Sequence, residues 1–192
     1  HQLCLFTGPL YFIYKIISTI NLADELKKNF PGYNFIPVYW MASEDHDFEE
    51  INHFYLFGKK IEWSNKQGGA LGNYSNGGIE KIIEGLKIVL GEDENESRLL
   101  KIFSDSYLKN KNLADATRFL VNELFGKYGL VIIDGNDKRL KREFSAIMQD
   151  DLSNNTNYKL VNETIAGLNK LSYKQQVNPR EINLFYLDEN ER

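Results

Sequence analysis

Residues 128–133 (YGLVII) restrict what this chain can fold into more than any other stretch. A mostly apolar, β-branched run without polar alternation reads as a strand buried on both faces, the kind found in parallel sheets. Helical periodicity surrounds it. It runs over residues 79–90 (with Gly91 as the stop), 97–108 and 113–125 before the strand, and over a segment capped by Asp137 and carrying Leu140, Phe144, Ile147 and Met148 after it. Nearer the start, residues 34–40 (NFIPVYW) read as another strand buried on both sides, with Pro37 marking an edge or a bulge. Residues 54–63 read as a further strand region, followed by a polar, Gly-rich segment over 65–78. A helix over about 158–171 and short late strands at 176–177 and 183–187 complete the pattern.

Strand alternating with helix predicts an α/β fold: a Rossmann-like parallel sheet with helices on both faces and a helical insertion over about 78–127, all in one core spanning 1–192. Before the first of these strands, Thr7 is expected to cap a helix that starts at Pro9 and stops before Pro31-Gly32. That helix is apolar on more than one face and is expected to pack between layers.

A net charge of −4 offers no basic field for a phosphate backbone, so nucleic acid is not an expected partner. No apolar run reaches the roughly 18 residues of a membrane span. A single Cys allows no intramolecular disulfide, which fits a cytoplasmic setting. Starting at His1 and ending in LDENER, the sequence is expected to be a piece of a longer protein.

In open α/β sheets, ligands gather at the carboxyl ends of the strands, and three polar segments fall at such positions. The first runs from His1 to Gly8. Thr7-Gly8-Pro9 at a helix start offers free N–H groups to a phosphate or carboxylate, although an ordinary capped helix reads the same way. The second is Ser43 to Asp47, with Ser43 or Asp45 as N-cap of a helical turn. Here five carboxylates fall within seven residues, Glu44, Asp45, Asp47, Glu49 and Glu50. A solvated acidic cap explains most of them. His46, between Asp45 and Asp47, has its imidazolium form favoured and suits charge stabilisation or proton transfer. The third is Asp134 to Asn136, a DGND turn that could also line a cleft. Asn178 and Arg180 lie between apolar runs near the end, and Arg180 could clamp a carboxylate or pair with a neighbouring acid. No HExxH, GxGxxG or P-loop pattern occurs, and no metal set is assigned. Cys4, between Leu3 and Leu5, reads as packing.

Four blocks, HQLCLFTGPLYFIYKIIS, PVYWMASEDHDFEEINHF, YGLVIIDGND and QVNPREINLFYLDENER, occur in one order that resembles the BshC family, the cysteine-adding enzymes of bacillithiol biosynthesis. The resemblance implies a Rossmann-like core with helical insertions. It also implies a homodimer formed through a C-terminal coiled coil, which is expected to be missing here together with a family N-terminal segment. The implied reaction is addition of L-cysteine to the amine of glucosaminyl-malate, with ATP as activator, although no HIGH or KMSKS signature occurs. On that reading His46 acts as acid, base or charge stabiliser, and Asp45 or Asp47 orients it or holds the substrate amine. His1, Thr7, Gly8, Ser43, Glu44, Asp134, Asn136, Asn178 and Arg180 would contact substrate or nucleotide. Two alternatives stand beside it: a non-catalytic module that binds a metabolite or partner, and a nucleotidyltransferase-like enzyme acting on another acid.

Overall fold

A computed structural model describes residues 2–91 and 93–184. The chain divides into two compact units, His1–Asn136 and Asp137–Arg192.

In the first unit, α1 (Tyr11–Asn29) leads to β1 (Val38–Met41), the short α2 (Phe48–Ile51), and a hairpin of β2 (His53–Leu56) and β3 (Lys59–Glu62). Three helices follow, α3 (Ile79–Leu90), α4 (Glu94–Lys109) and α5 (Leu113–Phe125), then β4 (Val131–Asp134). β1 and β4 pair in parallel, Val38 opposite Val131 through Met41 opposite Asp134. The hairpin is a separate antiparallel pair turning at Phe57-Gly58, both left-handed (φ 48° and 76°). The expected strand region over 54–63 is thus a hairpin of two strands, whose right-handed twist takes such a turn.

β1 is shorter than expected. Pro37 has no N–H to give to the ladder, and the pairing begins where its carbonyl accepts the Val131 N–H at 3.0 Å. One face of the sheet is buried, through Tyr39 and Met41, while Val38, Trp40 and Val131 on the other are 41–49% exposed. Within this unit the expected covering is thus seen on one face only. Phe12 of α1 meets Tyr39 edge-on at 5.4 Å, and the helix buries one stripe, Phe12, Ile16, Ile20 and Ala23. Of its other apolar residues Tyr11, Tyr14, Ile17 and Leu22 are exposed, so it is not sandwiched as expected.

The three middle helices carry their signals locally. Asp93 and Glu96 form a capping box on α4, and the Asn112 side chain accepts the Asp115 N–H to cap α5. Their buried faces join Leu3, Leu5 and Phe6 in one core, each fully buried aliphatic or aromatic side chain contributing about 1.5–3 kcal/mol.

In the second unit, α6 (Lys138–Glu143), α7 (Ser145–Asn154) and α8 (Thr156–Lys170) follow one another. The Asp137 carboxylate accepts the Arg139 N–H, as its capping position predicts. Residues 176–177 and 183–184 form no strand, since no ladder partner among the described residues reaches them; residues 185–187 lie outside the described residues.

Candidate functional site

The carboxyl ends of β1 and β4 bring together what the sequence separates. Ser43, 1% exposed, donates its hydroxyl to Oδ1 of Asp134. The same oxygen accepts the Asn136 N–H at 2.9 Å, which fixes the DGND turn. Oδ2 of Asp134 accepts from Arg118 on α5 at 3.2 Å, and Arg118 reaches Asp115 at 3.4 Å. Arg118, Asn122 and Ile132 line an open cleft of about 420 Å³ beside this network. The expected grouping of Ser43 with Asp134 and Asn136 is therefore present, and Arg118 joins it without having been expected from the sequence. An Asp-x-x-Arg pair on a helix looks like surface decoration until β4 arrives beside it.

Two glycines make the grouping possible. A Cβ on Gly72 would lie 2.7 Å from Ser43 Cβ and 2.9 Å from its carbonyl oxygen, and the Gly72 N–H donates to that oxygen at 2.8 Å. A Cβ on Gly135 would lie 2.8 Å from a Glu44 carboxylate oxygen and 2.9 Å from the Trp40 indole nitrogen. Glu44 thus stands at the rim, exposed, over the end of β4.

The acidic loop is arranged differently from expectation. Neither Ser43 nor Asp45 is the N-cap of α2; Asp47 holds that position without a side-chain cap. Oδ1 of Asp45 accepts the N–H groups of His46 (2.7 Å) and Asp47 (3.2 Å), and Oδ2 accepts from Gln2 at 3.3 Å. Partial burial alone would raise the Asp45 pKa. The amides of Asp47 and His46 and the Gln2 side chain outweigh it and hold the carboxyl below the usual range. Asp45 therefore grips the loop backbone and does not orient the His46 ring. His46 and Asp47 are exposed, and the ring makes no hydrogen bond among the described residues.

The opening segment also departs from expectation. Thr7 does not cap α1, which begins at Tyr11 after an uncapped Leu10. Phe6, Thr7 and Gly8 instead form a left-handed turn (φ 48°, 72° and 50°), and the Gly8 N–H donates to Leu5 at 2.6 Å. Phe6 drives the turn: its ring packs on Phe54, Phe103 and Tyr107, and its N–H donates to the Tyr107 hydroxyl at 2.8 Å. Gly8 sits on Cys4, whose Cβ and Sγ leave no room for a side chain there. Cys4 is buried, and that burial pushes its thiol up to about 11, so the thiol packs and stays protonated at neutral pH. Thr7 and Gly8 face a second cleft, of about 520 Å³, together with Glu50 and His53. His1 lies outside the described residues. Asn178 and Arg180 belong to the second unit and are exposed. Among the described residues, no three His, Cys, Asp or Glu side chains converge as metal ligands.

Comparison with known proteins identifies the family. The family model described as "Bacillithiol biosynthesis BshC, N-terminal Rossmann-like domain" matches residues 1–192. Relatives from Flavobacterium johnsoniae and Flavobacterium psychrophilum are each 56% identical over 192 residues, covering all of this chain and 36% of theirs. One from Cytophaga hutchinsonii is 44% identical over the whole chain and 35% of its own length. All three bear the name "Putative cysteine ligase BshC". The chain thus spans about a third of the length of the curated relatives it matches. A parallel β1–β4 pair with its polar cluster at the carboxyl ends, and a family match over every residue, lead to one conclusion: this chain belongs to the BshC family of bacillithiol biosynthesis, as its N-terminal Rossmann-like domain.

Proposed function

We propose that the full-length protein joins L-cysteine to the amine of glucosaminyl-malate, and that this domain supplies part of the substrate cleft. The observation that carries the reading is the Ser43–Asp134–Arg118 network at the ends of paired parallel strands, where α/β folds bind ligands, in a chain of the BshC family. In the reaction the amine nitrogen attacks the activated cysteine carboxyl carbon. A C–N bond forms, the C–O bond to the activating group breaks, and the amine gives up a proton.

Asp134, fixed by Ser43, Asn136 and Arg118, holds a carboxylate beside the cleft that Arg118 lines, and His46 on the exposed loop is the proposed proton-transfer group. ATP is proposed as the activator. The described residues fit a triphosphate poorly: the Gly8 amide is spent on Leu5, and Arg118 is already paired with two carboxylates. The phosphates of the nucleotide are therefore assigned to the remainder of the protein. Dimerisation through a coiled coil in that remainder, and a cytoplasmic location, belong to the same proposal. No helix among the described residues is long and apolar enough to cross a membrane.

The test is purified full-length protein with ATP, L-cysteine and glucosaminyl-malate, followed by mass spectrometry. Bacillithiol is the expected product, and His46→Ala in cells is expected to abolish it while leaving the protein folded. Ligand binding without turnover would favour a binding module. Pyrophosphate exchange with another acid and none with cysteine would favour a different nucleotidyltransferase.

A further inference from the structure

The cleft of about 520 Å³ beside the Phe6–Gly8 turn shares no lining residue with the cleft beside the Ser43–Asp134–Arg118 network. Thr7, Gly8 and Leu10 form part of its wall, and Glu50, His53 and Tyr55 another part. Among the described residues, no Lys or Arg lines it.

The imidazole of His53 is oriented by its neighbours. Asn52, 6% exposed, donates its Nδ2 to Glu62 at 3.4 Å, which turns its Oδ1 toward His53 Nδ1 at 2.9 Å. An amide oxygen can only accept, so in the neutral ring Nδ1 carries the proton and Nε2 keeps its lone pair. Tyr55 stands edge-on to the ring at 5.8 Å and 83°. Glu50 accepts a hydrogen bond from Gln2, which holds the carboxylate in place and leaves it further lone pairs. The cleft is therefore lined by a carboxylate and, in its neutral form, an imidazole with an acceptor nitrogen, while the Gly8 amide is already spent on Leu5.

We propose that this cleft binds a primary ammonium group, with Glu50 supplying the opposite charge and Nε2 of His53 accepting one of its N–H bonds. The sequence assigned the Gly8 segment to a phosphate or carboxylate; the charges that line the cleft select the other sign. The positive end of α1 starts near Leu10, so the ammonium belongs at the Glu50–His53 end. The identity of the ligand rests on the ligase reading, in which L-cysteine and glucosaminyl-malate each carry such a group.

Calorimetric titration of the full-length protein tests it, with four probes: L-cysteine, its amine-free counterpart 3-mercaptopropionate, glucosaminyl-malate, and glucosyl-malate. Glu50→Gln and His53→Phe are compared with the unaltered protein after circular dichroism shows each to be folded. The expected result is at least a tenfold loss of affinity for one amine-bearing probe in both variants, about 1.4 kcal/mol, with its amine-free counterpart unaffected. Which amine loses affinity identifies the source. The proposal is overturned if neither amine loses affinity, if the amine-free counterparts lose as much, or if the unaltered protein binds each amine no more tightly than its counterpart. Binding is read without turnover, so a protein that shows the expected loss but forms no bacillithiol refutes the ligase reading and leaves this site standing.

Discussion

Ser43 and Asp134 are 91 residues apart in sequence and joined by one hydrogen bond. The bond ties the loop after β1 to the last residue of β4, so the parallel pair, the hairpin and three helices between them close on the same point. Asp134→Asn keeps an acceptor for Ser43 and Asn136 but turns an amide toward the Arg118 guanidinium. Unfolding in urea should show a loss of about 1–3 kcal/mol, toward the lower value because Arg118 is 44% exposed. Bacillithiol formation by the full-length protein should fall with it.

Gly72→Ala tests the packing beneath that bond. The new methyl group would meet Ser43 Cβ and carbonyl oxygen, and backbone cannot step aside as a flexible side chain can. A destabilisation of about 1–3 kcal/mol is expected, read as a lower thermal midpoint. An unchanged midpoint would mean that Ser43 is less tightly held than its contacts imply.

Tyr107→Phe removes the acceptor for the buried Phe6 N–H and nothing else of size. An unsatisfied buried donor costs about 1–3 kcal/mol. Hydrogen exchange at the Phe6 amide should quicken in this variant while exchange in α5 stays near its former rate.

Asp45 gives a pH dependence with a definite sign. Its folded pKa is lower than its unfolded one, so its contribution is full above the ordinary carboxylate range and is lost as pH falls through the lowered folded value. Asp45→Asn should therefore cost stability at neutral pH, about 1 kcal/mol or less for so exposed a group, and match the unaltered protein at about pH 2. Urea midpoints at both pH values decide it.

Cys4→Ala should leave activity intact, since a thiol pushed up to about 11 by burial is not a nucleophile at neutral pH. Peptide mapping after iodoacetamide treatment of the native full-length protein should find Cys4 unmodified.

What can be read in the sequence follows from the range of the forces involved. α3 and α5 are legible to the residue because their caps and apolar stripes lie within the helices themselves, as with Asn112 and the Leu113–Phe125 face. β1 reads too long because the ladder answers to Pro37 and to a partner about 90 residues on. The start of α1 is misleading in sequence because Phe6 answers to Tyr107, 101 residues away, and its burial outweighs the capping preference of Thr7. In the site, Ser43, Asp134 and Asn136 are legible from their positions after strands. Arg118 and Gly72 carry no local signal, since one resembles a surface ion pair and the other a loop glycine.

The left-handed turn has a consequence for synthesis. Phe6 and Thr7 hold conformations that cost about 1–3 kcal/mol each, and the groups that hold Phe6 there include Phe103 and Tyr107 of α4. A chain emerging from the ribosome presents residues 6 and 7 long before residue 107 exists to fix them. The wall that Thr7 and Gly8 give to their cleft is thus set only after α4 has docked, and a nascent chain stalled short of α4 would display this segment in the conformations of an unfolded peptide.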